Sequence, residues 1–182
     1  MAQGKEKMKV RLANHVNYDN PLAASTDGLD TAATMADGNV SIGGTQPDVP
    51  RNIILTVSAA TVVGGTVTVY GIDQNGVHRS EVFTMNGALT YNGSIAWSKV
   101  LQVTVADLDS AGTETLALGL GDKLGLPVGP HGKLVEVFLA CAAGAAEAVG
   151  TVSKDYATID PTTATDNTAD FDFWYSYDVD LL

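Results

Sequence analysis

Residues 66–85 read TVTVYGIDQNGVHRSEVFTM, and this stretch decides the fold class. Val67 and Val69 alternate with Thr66, Thr68 and Tyr70, and a period of two is typical of a β-strand with one buried face. The dipeptide Asn75-Gly76 readily supplies the positive φ angles of a tight turn. We therefore predict a hairpin with strands over 66–72 and 78–85.

Short alternating runs recur on both sides of this hairpin. The apolar positions expected to face inward are Ile53, Leu55 and Val57; Leu101, Val103 and Val105 of a long or bulged strand over 95–106; Leu116, Leu118 and Leu120; and Val135, Val137 and Leu139. The stretch 140–148 is ambiguous, because its alanines favour a helix while Gly144 and the short length disfavour one. Eight or more strands at spacings of about ten residues predict an all-β fold, an antiparallel β-sandwich of the jelly-roll type. The strand order is left open.

The composition agrees with this fold class. The 182 residues suit one domain with a real core, and the 19 glycines supply turns. Threonine and valine are plentiful, and their branched Cβ atoms pack well on pleated surfaces.

The first 49 residues show little sustained periodicity. Residues 7–12 (KMKVRL) could form one strand, and Val40 with Ile42 a short second one; between them Asn, Asp, Gly, Ser and Thr dominate. A structureless loop of this length is uncommon inside a compact domain. We therefore interpret 1–49 as an extended N-terminal arm, ordered on a neighbour or along its own sandwich, and 50–182 as the sandwich domain.

The C-terminal segment carries the most regular alternation in the chain. Phe171, Phe173, Tyr175, Tyr177 and Val179 share one face of a strand, and Asp170, Asp172, Trp174, Ser176, Asp178 and Asp180 share the other. A slip of one residue would bury the acids, so the register is tightly specified. We expect the rings to pack in the core or on a neighbouring subunit. The alternative is a carbohydrate platform that stacks sugars on Tyr175, Tyr177 or Trp174.

Charge is distributed unevenly. The chain has 10 basic and 21 acidic side chains and a formal net charge of −11, which argues against nucleic acid as the main partner. Four of the basic residues, Lys5, Lys7, Lys9 and Arg11, lie at the N-terminus, whereas aspartates crowd the C-terminus. These segments are either solvated tails or docking elements for oppositely charged neighbours in an assembly.

No motif predicts a reaction or a cofactor. His15, His78 and His131 are far apart, no serine lies in a Gly-x-Ser-x-Gly elbow, and Cys141 fits a small buried apolar position. The LGLGDKLG segment departs from the dinucleotide fingerprint, so its glycines are assigned to turns and bulges. A structural calcium ion bound by carboxylates such as Asp107 and Asp109 is left as an alternative. We also expect no membrane span and no secretory signal.

A family resemblance adds to this picture. The segments PRNIILTVS, TVTVYGIDQNGVHRSEVFTM and GDKLGLPVG, within residues 47–129, resemble capsid decoration (cement) proteins of tailed bacteriophages. The resemblance implies a β-sandwich on the outside of an icosahedral head, often a trimer, that bridges subunits of the major capsid protein. It also implies synthesis in the host cytoplasm, and it carries over no catalytic residues. The alternatives are a head–tail, tail or head-fibre protein, or a module that binds glycans of the host surface.

Overall fold

The computed structural model describes residues 8–58, 64–87, 89–109, 114–142, 144–166 and 168–181. The strands in these residues are β1 (Met8–Tyr18), β2 (Ser25–Thr34), β3 (Gly38–Val40), β4 (Arg51–Ser58), β5 (Thr66–Asp73), β6 (His78–Thr84), β7 (Thr90–Asn92), β8 (Trp97–Ala106), β9 (Thr115–Gly125), β10 (Gly132–Ala142), β11 (Ala145–Glu147), β12 (Thr151–Ser153), β13 (Thr158–Asp160) and β14 (Phe171–Leu181). Within the described residues, no helix has the length and apolar character needed to cross a membrane.

The strands form two antiparallel sheets. The small sheet has the order β1-β14-β10-β11, and the large sheet has the order β12-β13-β9-β4-β8-β5-β6. Three further strands join the large sheet, with β2 on β9, β3 on β8 and β7 on β4. The sheets curl into a half-barrel, and the prediction of an all-β antiparallel sandwich is confirmed.

Two apolar clusters fill the sandwich. One lies within the curled large sheet and includes Trp97, Leu55 and Leu118, all without exposed surface. The other lies between the sheets, where Phe171 and Phe173 of the small sheet pack with residues such as Leu124, Leu126 and Ile159. Burial of this much apolar surface is the main force that holds such a fold together.

The hairpin at residues 66–85 is confirmed as β5 and β6. The two strands pair from Thr66 opposite Thr84 to Ile72 opposite His78, and Gly76 has a φ of 76°. Asp73 accepts hydrogen bonds from the backbone N–H groups of Asn75 and Val77 at 2.8 and 2.9 Å, which closes the turn. The turn and the register of this hairpin therefore follow from the local sequence, and β5 is further held by its pairing with β8.

Leu101 does not face the core, contrary to the sequence prediction. The pairing of β8 with β5 shifts between Tyr70–Gln102 and Gly71–Val100, so Leu101 is the extra residue of a β-bulge. It is 47% exposed, whereas Val100, Val103 and Val105 are buried. The bulge changes which residues face inward, and a pattern of strict alternation does not reveal it.

Residues 8–49 lie along the sheets of their own sandwich. β1 pairs with β14 over its whole length, β2 with β9 and β3 with β8. Tyr18, Leu29 and Met35 of this segment are buried in the two cores. Of the two interpretations of the arm, ordering along its own sandwich describes these residues.

Residues 140–147 form a β-hairpin. Ala140 to Ala142 of β10 pair with residues 145–147 of β11 around Gly144, whose φ is 75°. The alanines are compatible with a strand here because β14 provides the hydrogen-bonding neighbour of β10. Tertiary pairing thus overrides helix propensity.

The glycines of LGLGDKLG lie inside β9 and not in turns. A Cβ atom on Gly119 would meet the backbone of Ser25 and Thr26, and one on Gly121 would meet the side chain of Asn52. They allow β2 and Asn52 to approach β9 closely. The assignment of these glycines to turns is therefore wrong, whereas a bulge at Gly121 is in line with the register shift of β9 against β4 between Leu120 and Leu124.

A fully buried arginine of the large sheet joins segments that are far apart in the chain. Arg51 of β4 donates from Nε to the carbonyl oxygen of Gly121 at 2.7 Å and from Nη1 to that of Leu22 at 2.6 Å. It also contacts Asp48 at 3.3 Å and donates from Nη2 to Thr165 Oγ1 at 2.7 Å. Burial lowers the pKa of Arg51, and the nearby Asp48 opposes that effect. The guanidinium thus holds the N-terminal segment, β9 and the segment that precedes β14 in place.

Candidate interaction surface

The outer face of the small sheet brings the two chain ends together. Every second residue of β1 and β14 points away from the core, and these residues are paired across the strands. The pairs are Lys9 with Asp180, Arg11 with Asp178, Ala13 with Ser176, His15 with Trp174 and Asn17 with Asp172. β10 extends this face on the other side of β14, with Lys133 opposite Asp178 and Glu136 opposite Ser176.

The basic N-terminal residues and the acidic C-terminal residues neutralise one another on this face. Arg11 Nε donates to Asp178 Oδ1 at 3.0 Å. This hydrogen bond lowers the pKa of Asp178, and the charge of Lys9 lowers it further. Asp178 lies between Arg11 and Lys133, so opposite charges alternate across the strands. The sequence left open whether the two oppositely charged segments are solvated tails or docking elements for neighbours; in residues 9–18 and 171–180 they pair with each other.

An aromatic pair occupies the middle of the same face. The rings of His15 and Trp174 are stacked with their centroids 4.4 Å apart and their planes at 25°. His15 Nε2 lies 2.8 Å from Asp172 Oδ1, which also accepts a hydrogen bond from Asn17 Nδ2 at 3.0 Å. Trp174 is half-buried, and one side of its ring is covered by His15. The indole is thereby held in one orientation on the surface, as an interface anchor requires.

The predicted interaction residues separate into three groups. Lys9, Arg11 and Trp174 lie together on the outer face of the small sheet, whereas Lys5 and Lys7 lie outside the described residues. Tyr175 and Tyr177 point to the opposite face, where their rings are 6.2 Å apart.

Tyr175 cannot stack on a sugar, because its ring has no exposed surface. Its hydroxyl donates to the carbonyl oxygen of Pro127 at 2.6 Å and accepts from Asn14 Nδ2 at 3.0 Å. Burial raises the pKa of Tyr175 to about 12, and the Asn14 hydrogen bond opposes that increase. The carbohydrate role given to Tyr175 is therefore wrong, and the expected core packing is confirmed for Phe171, Phe173 and Tyr175.

The remaining titratable candidates lie in separate places. His78 is exposed on β6, His131 is exposed in the segment before β10, and Cys141 is half-buried on β10. Cys141 is thus less buried than the sequence predicted. In the described ranges, no three His, Cys, Asp or Glu side chains are grouped as metal ligands would be.

Sequence reasoning missed an open cleft of about 690 Å³ beside β6. Its walls are residues 79–83 of β6 on one side, and Asn92, Ser94, Ile95 and Tyr156 on the other. Glu81 Oε1 accepts the N–H of Ser94 at 2.6 Å, which fixes the far wall against β6. The only local sign of this cleft in the sequence is Glu81, an acidic residue at a position of β6 whose side chain faces inward.

Burial raises the pKa of Glu81. Its hydrogen bonds with the N–H groups of Ser94 and Ile95 oppose this increase, as do the nearby indole of Trp97 and the charge of Lys123. Glu81 Oε2 and Trp97 Nε1 are both buried, and neither has a hydrogen-bond partner of good geometry. Burial therefore disfavours the charged form of Glu81, and its neighbours compensate this effect only in part.

Comparison with known proteins gives no relative: no protein-family model, no curated protein and no solved structure matches this chain.

Proposed function

We propose that this protein is a structural component of a virus particle, a decoration protein that binds the outside of an icosahedral phage head and stabilises the lattice of the major capsid protein. The resemblance within residues 47–129 supports this proposal. The observation that carries it is the convergence of Lys9, Arg11 and Trp174, from opposite ends of the chain, on the outer face of the small sheet.

The chemistry of this face suits attachment to a repeating protein lattice. Its charges of both signs fix orientation and select the partner more than they add affinity. Trp174 is an aromatic anchor already held by His15, so little side-chain entropy is lost when it is buried. The lattice offers many equivalent sites, and any self-association of the decoration protein would increase its hold through multivalency.

The experiment measures occupancy of this protein on purified icosahedral heads stripped of it, together with the heat stability of the decorated heads. We expect Trp174→Ala and Arg11→Glu each to reduce occupancy. Tyr156→Ala, which removes an exposed aromatic ring elsewhere, should bind like the wild type. Undiminished occupancy with both Trp174→Ala and Arg11→Glu would contradict the proposal.

Point substitutions are preferable to deletion of residues 1–20. This deletion removes β1, leaves β14 with an unpaired edge and takes Tyr18 out of the core. Failure of the truncated protein to bind would therefore not distinguish loss of the contact from loss of the fold.

A second candidate function is glycan binding during adhesion to a host, and the cleft beside β6 supports it. Asn92, Ser94 and Arg79 offer hydrogen-bonding groups there, and Tyr156 is 41% exposed. Polar side chains around an exposed ring are the usual surroundings of a bound sugar. A glycan array distinguishes the functions, because specific binding that is lost on Tyr156→Ala and kept on Trp174→Ala favours adhesion through the cleft.

A further inference from the structure

The end strands of the two sheets differ in how they avoid pairing with another chain. In the described part of the small sheet, β1 carries exposed Lys9 and Arg11, and β11 has three residues. In the large sheet, β12 also has three residues. Charge and short length are the usual means by which proteins protect a sheet edge. β6 has seven residues and no proline, and its pairing among the described strands is with β5 alone.

The hydrogen bonds at the two ends of β6 show which backbone groups face outward. The N–H of Met85 donates to the carbonyl oxygen of Gly65 at 2.9 Å, and the N–H of Asp73 donates to that of Val77 at 2.9 Å. Along an antiparallel strand, residues whose N–H and C=O groups point to one side alternate with residues whose groups point to the other side. Because Val77 and Met85 bond to the β5 side, the odd-numbered residues of β6 bond to β5. The N–H and C=O groups of His78, Ser80, Val82 and Thr84 therefore point away from the sheet.

The side chains of these four residues leave the edge open. All four are exposed, none is Lys, Arg, Asp or Glu, and Val82 has 60% of its surface exposed. Tyr70 and Leu101, on the neighbouring strands β5 and β8, continue the exposed apolar surface. β6 carries two charged residues, Arg79 and the inward-pointing Glu81, but its four outward-facing residues include no Lys, Arg, Asp, Glu or Pro that would hinder strand addition, and exposed apolar surface of this kind is typical of a protein contact.

We propose that β6 pairs antiparallel with β6 of a second copy of this chain, across a two-fold axis at Val82. An antiparallel copy presents the same alternation of donors and acceptors, so the edge is complementary to itself. The chain has a net charge of −11, which repels a second copy over most of its surface. The four uncharged edge residues form a contact at which that repulsion is least.

The charge of Glu81 selects the register. An axis at residue 81 would place Glu81 opposite its own copy, and like charges directly opposite each other destabilise a strand pair. An axis at Val82 instead pairs Val82 with Val82, Ser80 with Thr84 and Glu81 with Phe83 of the copy. This register also removes the most exposed apolar side chain of the edge from water.

This pairing is independent of the proposed shell attachment, because β6 and the outer face of the small sheet belong to different sheets. It competes with glycan binding in the cleft beside β6, because Ser80 and Val82 are in the wall of that cleft. It gives a dimer, whereas the resemblance to decoration proteins implies trimers. A dimer that does not bind heads would contradict the proposed function alone, and a monomer that binds heads would contradict the pairing alone.

The test is the molar mass of the full chain in solution, measured by light scattering and by sedimentation equilibrium. We expect twice the 18.9 kDa of one chain for the wild type. Val82→Lys places two ammonium groups opposite each other at the axis, and its dissociation constant should rise at least about tenfold. Val82→Ile should remain dimeric. Val149→Lys makes the same change at an exposed valine outside β6 and should also remain dimeric.

A disulfide then tests the register. In a Cys141→Ser background, Val82→Cys places two thiols at the axis, where the Cα atoms of a hydrogen-bonded pair are about 5.5 Å apart and a disulfide can form. We expect an oxidised dimer with Val82→Cys and none with Thr90→Cys on β7. Circular dichroism and thermal unfolding establish that each variant is folded. A monomeric wild type, or a Val82→Lys variant whose dissociation constant is unchanged, would overturn the proposal; cross-linking through Ser80→Cys but not Val82→Cys would overturn the register.

Discussion

Arg51 Nη2 donates to Thr165 Oγ1 over 2.7 Å and so joins residues that are 114 positions apart in the chain. Thr165 Oγ1 in turn donates to Asp122 Oδ1 at 2.7 Å. The guanidinium thereby fixes the segment that enters β14 against the large sheet.

We predict that Arg51→Ala lowers the free energy of unfolding by about 3–5 kcal/mol, the cost of removing one partner from a buried charge network. The substitution leaves Thr165, Asp48 and two carbonyl oxygens without their donor. Urea unfolding followed by circular dichroism measures the loss. Arg11→Ala, which removes an exposed partner of Asp178, is the matched control and should change the stability little. Equal losses in the two variants would contradict the role assigned to Arg51.

We predict that Gly119→Ala destabilises the protein by about 1–3 kcal/mol or more, the usual cost of overpacking a core. Its methyl group would collide with the backbone of Ser25 and Thr26, so β2 would have to move away from β9. Gly43→Ala is the control, because a Cβ there meets nothing within 4 Å. We expect the control to stay within about 0.5 kcal/mol of the wild type. Denaturant midpoints of both variants measure the difference, and a tolerated Gly119→Ala would show that β2 is not held against β9.

The raised pKa of Glu81 predicts a pH-dependent contribution to stability. Because the pKa is higher in the folded than in the unfolded protein, the folded state holds more protons between the two values, and stability falls as the pH rises through that window. The variant Glu81→Gln lacks this titration. We therefore expect the stability of the wild type relative to Glu81→Gln to increase as the pH is lowered from about 7 to about 4.

Urea unfolding at a series of pH values measures this difference. Glu136→Gln, at an exposed glutamate of β10, is the control for loss of one acidic group. A difference between wild type and Glu81→Gln that is constant with pH, or that shrinks at low pH, would contradict the buried position of Glu81.

Burial of Tyr175 predicts a late ionisation and a loss of stability in alkali. Its pKa is raised to about 12, so in the window between this value and about 10, the usual tyrosine value, the folded protein retains a proton that the unfolded chain releases. Stability therefore falls as the pH rises above about 10, and it should fall less steeply in Tyr175→Phe. Phenolate absorbance and urea unfolding measure the two effects.

Asn14→Ala extends this test. Asn14 donates to the hydroxyl of Tyr175 and lowers its pKa, so removing the amide should raise the pKa of Tyr175 further. An unchanged or lower ionisation midpoint in Asn14→Ala would contradict the hydrogen bond.

The elements that the sequence predicted well are those whose evidence is local. The β5–β6 hairpin follows from alternating side chains and an Asn-Gly turn, and the inward positions Leu116, Leu118 and Leu120 of β9 are confirmed. Phe171, Phe173 and Tyr175 are buried as their period of two indicates. In each case neighbours along the chain are enough to define the conformation.

The elements that the sequence did not predict depend on residues far away. Leu101 is exposed because β8 gains one residue relative to β5. Gly119 is required by β2, and β10 continues past Ala140 because β14 lies beside it. The cleft beside β6 forms where Tyr156 comes close to residues 79–83. None of these contacts leaves a period or a motif in the sequence.

The sequence by itself determined the fold class and the side of β4, β5, β9 and β14 that faces the core, because a period of two depends on adjacent residues. It also determined that the chain ends carry opposite charges. Only the tertiary structure decided that these ends pair with each other, that Trp174 is stacked on His15 while Tyr175 is buried, and that β6 is left as an open edge. Strand pairing, register and side-chain exposure depend on contacts between strands such as β1 and β14, whose paired residues are more than a hundred positions apart in the chain. These contacts contribute to stability only when the strands lie side by side.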